Sequence, residues 1–215
     1  MNNRILIKAI SELLLLTTFK PKCDGAGAVS LYSENKRIGI GYTKGVAGLR
    51  LPPQIAGYIS FSDVESILEP YYKKHGLGYQ PYTIHKSSRR FEHLSLIDLC
   101  TTKDIQKVST ELRIMVFEDI LPFFEENNTL EKVHEHFLTL PDDQWSRYFV
   151  GALHLSVMAI KALLKSADFE KYSLETLDSY RRESFGQYKH VFAPIYAFLP
   201  ELYDELKAIY FKNDQ

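Results

Sequence analysis

Apolar positions change their spacing near residue 100 of this 215-residue chain. In the first part, short apolar runs alternate with polar residues and are cut by glycine and proline. Val29, Leu31 and Ser33 repeat every second residue, as do Ile38, Ile40 and Tyr42. That is the period of a strand with one buried face. Asn35-Lys36 lies between them with the spacing of a two-residue hairpin turn, and asparagine tolerates a positive φ. Ile55 to Phe61 reads as another strand, as do Tyr82 to Lys86 and Phe91 to Leu99. Lys20 to Gly27 reads as a loop and Gly45 to Pro53 as an irregular connection. Two helices belong to this part. Ile5, Ala9, Leu13 and Leu16 share one helical stripe, predicting an amphipathic helix from Ile5 to Phe19. Ser62-Asp63-Val64-Glu65 has the capping-box spacing, and its helix is predicted from about Asp63 to Lys74, stopped by His75-Gly76.

After residue 100 the period is that of a helix. Ile105, Val108, Leu112, Met115, Val116, Ile120 and Phe123 keep a three-to-four spacing, with Pro122 expected to kink or shorten the segment. Asn127-Asn128 breaks the chain, and Thr129 starts a helix through Phe137. Pro141-Asp142-Asp143 leads into Tyr148 to Leu164, a run too apolar for a one-sided surface helix. It is predicted to be one continuous helix and the most buried element, with Leu155 and Met158 inside. Ser173 starts the next helix. The last runs from about Gln187 to Phe211, bent or divided by Pro194 and Pro200. Strands first and helices later point to an α+β fold. The expected architecture is an N-terminal helix and a small antiparallel sheet packed against a C-terminal bundle of about five helices. The chain reads as a single domain, 1–215, with a β-rich part over about 20–100 and a helical part over about 101–215.

Charge divides at the same place. Residues 1–100 hold 13 Lys/Arg and 8 Asp/Glu, whereas residues 101–215 hold 13 and 19. The net charge of the whole chain is −1, which does not suit a polybasic nucleic-acid binder. Two cysteines, Cys23 and Cys100, are too few for a disulfide framework, and free thiols in a reducing compartment are expected. Lys8 and Glu12 interrupt the N-terminal apolar run, which argues against a signal sequence. The run from Tyr148 to Leu164 sits at the short limit for a membrane span and carries His154, Ser156 and Lys161. The reading is a cytoplasmic protein with no membrane association.

Candidate chemistry is sparse. Gly39-x-Gly41-x-x-Lys44-Gly45 has the glycines of a phosphate loop, but Leu51-Pro52-Pro53 follows where a helix N-terminus is needed. Strand glycines that let a ring or backbone approach closely are the better account. Glu131-x-x-His134 is half of a di-metal carboxylate motif, and the chain has no second copy. No metal and no cofactor are expected. His154 among apolar neighbours reads as a buried ring with one hydrogen bond.

The densest basic stretch is His85-Lys86-Ser87-Ser88-Arg89-Arg90. Paired guanidinium groups hold carboxylate or phosphate, Ser87 and Ser88 add hydroxyls, and a histidine serves acid–base roles. His85, Arg89 and Arg90 are therefore the candidate ligand-binding residues, with Lys36, Arg37 and Lys44 as an extension of the positive patch. RNA recognition calls for interleaved aromatics, and here only Tyr82 and Phe91 flank the stretch, so nucleic acid is not the expected partner. The expected function is that of a cytoplasmic, non-catalytic binding or interaction protein of bacterial, immunity- or regulator-like type. Its acidic helical half would face a protein partner. The alternative is an enzyme acting on a phosphorylated or anionic small molecule near His85, Arg89 and Arg90.

Overall fold

The computed structural model describes residues 19–23, 28–41, 43–44, 49–51, 55–88, 97–99, 102–145, 147–148 and 153–212. The fold is α+β. The helix predicted from Ile5 lies outside the described residues, as do Arg89, Arg90 and Cys100. The chain divides into two compact units, residues 1–60 with 84–128, and residues 61–83 with 129–215. Each unit thus takes residues from both sides of the compositional boundary at residue 100.

The first unit contains a five-stranded antiparallel sheet in the order β1-β2-β3-β6-β7. Its strands are β1 (Lys20–Cys23), β2 (Ala28–Ser33), β3 (Lys36–Gly41), β6 (Ile55–Ile59) and β7 (Ile84–Ser88). A smaller sheet joins β4 (Thr43–Lys44), β5 (Leu49–Leu51) and β8 (Ile97–Leu99). Leu31, Ile38, Ile40, Ile55, Ile59 and Ile84 are 2% exposed or less. They form one face of the large sheet, as the two-residue period requires. That face is covered by a π-helical turn (Val116–Ile120) and α3 (Leu121–Glu126), which continue from α2 (Thr102–Met115), itself packed on β8 of the smaller sheet. The wide π turn comes directly before Pro122, which sits in the first turn of α3. The chain therefore accommodates the missing N–H by widening the ladder.

Three predicted details change here, the first being that Leu49–Leu51, within the connection read from Gly45 to Pro53, is strand β5. Lys20–Cys23 is an edge strand, not a loop. Pro21 is tolerated because an edge strand has a partner on one side only. The hairpin turn is Glu34-Asn35, one residue earlier than read, because Ser33 pairs with Lys36. Glu34, not Asn35, carries the positive φ, at 47°.

The second unit is helical. It contains α1 (Ser62–Lys74), α4 (Leu130–Leu138), α5 (Asp142–Trp145), α6 (Leu153–Leu163), α7 (Phe169–Glu183), α8 (Lys189–Tyr196) and α9 (Leu199–Phe211). The core helix is α6, buried continuously from Leu155 to Ala162, with Leu155 and Met158 fully enclosed. It packs against α1, α4, α7 and α9. Tyr148 lies in a turn outside it, and residues 149–152 are outside the described set. Thr129 caps α4 as predicted, its Oγ1 accepting from the Lys132 N–H at 3.3 Å. α7 begins at Phe169, so Ser173 is a buried interior residue instead of a start. The last segment divides at Ala197–Phe198, with Pro200 in the first turn of α9. No helix among the described residues is long and apolar enough to cross a membrane.

Candidate functional site

Antiparallel register places one residue from each strand of the large sheet in a single row. Lys20 pairs with Tyr32, Tyr32 with Arg37, Arg37 with Tyr58, and Tyr58 with His85. Directly opposed residues share a face, so all five project from the face opposite the isoleucine core. The next row on this face is Lys22, Ser30, Gly39, Ala56 and Ser87.

The Arg37 guanidinium lies 5.7 Å from the Tyr32 ring centre and 5.3 Å from that of Tyr58. Both distances are within reach of the ring quadrupole. Its Nε donates to Ser30 Oγ at 2.8 Å, and Ser30 is fully buried beneath it. Lys22 extends the series, with Nζ 5.8 Å from the Tyr32 ring centre. His85 lies on the far side of Tyr58, ring centres 5.9 Å apart and planes 23° from parallel. Tyr32, Arg37, Tyr58 and His85 are half-buried, while Lys20, Lys22 and Ser87 are exposed. Gly39 lets the platform form, because a Cβ there would come within 3.3 Å of Tyr58 Cε2. The phosphate-loop glycine is thus a close-approach glycine at this position.

The five strands contain five Lys or Arg and no Asp or Glu. Two of those cations turn to the helix-covered face. Lys36 lies 3.9 Å from a Glu125 carboxylate oxygen and over the Phe124 ring, and Lys86 lies over the Phe123 ring. The basic stretch is therefore split by strand alternation. His85 and Ser87 belong to the aromatic face, while Ser88 is buried on the other and donates to Asp119. Ser88 does not add a hydroxyl to a site around His85, contrary to the sequence reading. Arg89 and Arg90 lie outside the described residues. Sequence reasoning missed Tyr32 and Tyr58, which lie far from the basic stretch along the chain. Their signal is their place at alternate positions, opposite in phase to the buried isoleucines.

A second polar cluster belongs to the helical unit. Lys161, only 3% exposed, donates to both Asp168 oxygens at 2.8 and 2.7 Å. Asp168 also accepts from Ser166 Oγ at 2.7 Å. Although partial burial opposes it, hydrogen bonding and charge from Lys161, with help from Ser166, hold the Asp168 carboxyl below its usual range. His134 Nε2 stands 3.1 Å from Ser166 Oγ. A carboxylate only accepts, so the Ser166 proton is committed to Asp168, and His134 is left to donate. That polarity is the reverse of a base activating a serine. The cluster braces the α6–α7 turn beside an open cleft of about 610 Å³ lined by Glu131, His134, Glu135 and Lys165 among others. Glu131 is exposed, its carboxyl lowered by its own backbone N–H and by Thr129. Among the described residues no three His, Cys, Asp or Glu side chains converge as a metal site. His154 is exposed on α6, with Nδ1 2.8 Å from the Tyr172 hydroxyl, and so is not the buried ring expected.

Much of the acidic character of the helical unit is satisfied internally. Glu201 pairs with Lys74 at 2.8 Å, Glu170 with Lys207 at 3.2 Å, and Asp178 with Arg181 and Arg182 at 2.6 and 3.2 Å. Glu205 accepts from the Tyr71 hydroxyl at 2.6 Å. Glu65 is buried and accepts from Tyr79 and Thr83. It does not close the capping box read from its spacing. Thr83 Oγ1 instead accepts from the Phe61 N–H, 3.1 Å away, at the start of α1.

No family model matches the chain, and neither does any curated protein or solved structure.

Proposed function

We propose that this chain is a non-catalytic binding protein that takes an anionic partner on the Tyr32–Arg37–Tyr58–His85 face of its large sheet. The observation that carries this reading is the arginine held between two tyrosine rings, in register with His85 and Lys20 and with Lys22 in the next row, on strands without a carboxylate. A face of rings and cations suits a ligand that brings negative charge. A cytoplasmic, regulator-like role belongs to this reading. The enzyme alternative draws less support, because Ser88 is engaged on the opposite face and the helical His134–Ser166 pair has the wrong polarity for a nucleophile.

The test is thermal stabilisation by tripolyphosphate, with Arg37→Gln as the control. An anion at about 100 times its dissociation constant adds roughly 2.7 kcal/mol to the wild type. Arg37→Gln is expected to remove that shift while keeping a cooperative melt. No shift in the wild type at millimolar tripolyphosphate, or an equal shift in the variant, overturns the reading.

A further inference from the structure

We infer that the stretch from Phe185 to Val191 in the helical unit is a docking surface for an anionic lipid membrane. The Phe185, Tyr188 and Val191 side chains enter the bilayer interface, and Arg181, Arg182 and Lys189 lie at the headgroups. This surface belongs to the helical unit alone and does not rest on the anion-binding reading of the sheet. Phe185 is 83% exposed, more than any other large apolar side chain among the described residues, and Tyr188 and Val191 are 53% and 48% exposed. Every residue from Phe185 to Val191 is exposed. Phe185 to Tyr188 form the turn between α7 and α8, and α8 itself keeps no residue buried. It packs on α7, where the Phe192 ring meets that of Tyr180 edge-on at 5.2 Å. With Phe192 turned inward, Tyr188, Val191 and Ile195, at i, i+3 and i+7, form one apolar flank. Apolar residues scattered singly on a surface need no partner, but a contiguous group marks an interaction site.

Charge and shape select the occupant. From Ser184 to Pro200 the chain has no Asp or Glu, although residues 101–215 are acidic as a whole. Lys189 and His190 are exposed inside that stretch, and Arg181 and Arg182 are exposed at its edge. Asp178 pairs with both arginines and Glu183 precedes the turn, so three fixed cations meet two carboxylates. That single excess charge gives a preference for an anionic surface, while the inserted side chains supply most of the attachment. A protein partner would need a preformed pocket for a side chain as prominent as Phe185. A bilayer interface takes in a protruding ring without one, and keeps the Tyr188 hydroxyl among the headgroups. A second copy of this chain, docked about a two-fold axis, would set its own arginines and Lys189 against these. No helix among the described residues is long and apolar enough to cross a membrane, and none needs to be, since an interfacial helix lies in the plane of the surface.

The experiment is co-sedimentation of the full chain with vesicles of phosphatidylcholine alone and of phosphatidylcholine with about 30% phosphatidylserine. The anionic vesicles should be bound about fivefold more tightly, the worth of one uncompensated cation at the surface. Phe185→Ala should weaken that binding about 10-fold or more, the loss of one inserted aromatic side chain. Its Tm should stay within about 2 °C of wild type, because the side chain is exposed in the fold. Lys189→Gln should abolish the preference for phosphatidylserine and leave binding to neutral vesicles unchanged. Arg37→Gln should alter neither, which separates this surface from the sheet face. Absence of vesicle binding overturns the inference, as does equal binding to both compositions or undiminished binding by Phe185→Ala. Binding lost in Arg37→Gln and kept in Phe185→Ala overturns it too, and assigns the lipid to the sheet face. Concentration-dependent dimerisation that Phe185→Ala abolishes, without vesicle binding, overturns it in favour of a second copy. The anion-binding reading of the sheet stands or falls separately, on tripolyphosphate.

Discussion

The two faces of the five-stranded sheet solve opposite problems with the same backbone. On one, Ile38, Ile40, Ile55, Ile59 and Ile84 are sealed under the π turn and α3, and even a glycine is filled by its neighbours. On the other, rings and cations alternate and remain half-buried. Burial on the first face drives folding, since each fully buried aliphatic side chain contributes roughly 1.5–3 kcal/mol. The second face gains far less from its cation–ring contacts, about 0.5–1 kcal/mol each where partly exposed. The lesson is that the apolar core and the row of rings and cations are separated here by side-chain parity. Moving one residue along a strand moves from one property to the other.

The comparison breaks most readily on the isoleucine face. Ile59→Ala removes a fully buried side chain and should cost about 2–5 kcal/mol by chemical denaturation. The folded fraction should bind anions with unchanged affinity. A cost below about 1 kcal/mol would mean that this face is not the core. Gly57→Val comes next, at about 1–3 kcal/mol. A Cβ at Gly57 would stand 2.5 Å from Ile120 Cγ2 and 3.0 Å from Phe124 Cε1, and both side chains are held in the core. Full stability in that variant would show the layer to be more pliable than its packing implies.

These same elements show what was legible. The alternation at Ile38 and Ile40 identified β3, and Gly76, at φ 65°, ended α1 as read. There the Leu77 N–H bonds to the Tyr72 carbonyl and the Gly76 N–H to that of Lys73, closing the helix. The same closure ends α6, from Ser166 to Lys161 and from Lys165 to Ala162, but Lys165 takes the left-handed position at φ 51°. With no glycine to mark it, that end left no sequence signal. β1 was missed because Pro21 and two lysines read as loop, and only an edge position makes them a strand. The row of rings and cations was half-legible. His85 and Arg37 were read as parts of one positive patch, but Tyr32 and Tyr58 join them only through register, which no single strand encodes.

A buried charge in the helical unit sharpens the contrast with the half-buried Arg37. Burial raises the Glu65 carboxyl above its usual range, against the opposing pull of the Thr83 and Tyr79 hydroxyls, with Glu69 adding a smaller push upward. The folded state then holds the Glu65 proton more tightly than the unfolded state does. The stability this contributes is complete below the ordinary carboxylate pKa of about 4.3 and is lost as pH rises through the raised folded value. Glu65→Gln should therefore gain on the wild type between about pH 4 and pH 7, measured by paired denaturation curves. A difference that moves the other way with pH would show Glu65 to be stabilised as the anion.

The smallest effect lies at the turn that assigns residues to faces. Ser33 pairs with Lys36 across Glu34-Asn35, and that pairing fixes which side chains of β2 and β3 join Arg37 and which join Ile38. Glu34 sits there at φ 47°, where a Cβ is strained and asparagine is better tolerated. Glu34→Asn should raise stability by about 0.5 kcal/mol, a shift in Tm of about 1–2 °C for a chain of this size. The strand register should not change, so Ile59→Ala in this background should cost what it does alone. The change also removes a carboxylate two residues from Tyr32 and three from Arg37 in sequence. Affinity for a polyanion should therefore rise slightly at low salt, and the gain should fade as salt screens it. A gain that persists at high salt, or a loss of affinity, would mean that the turn does more than hold the register and that the two faces are not independent.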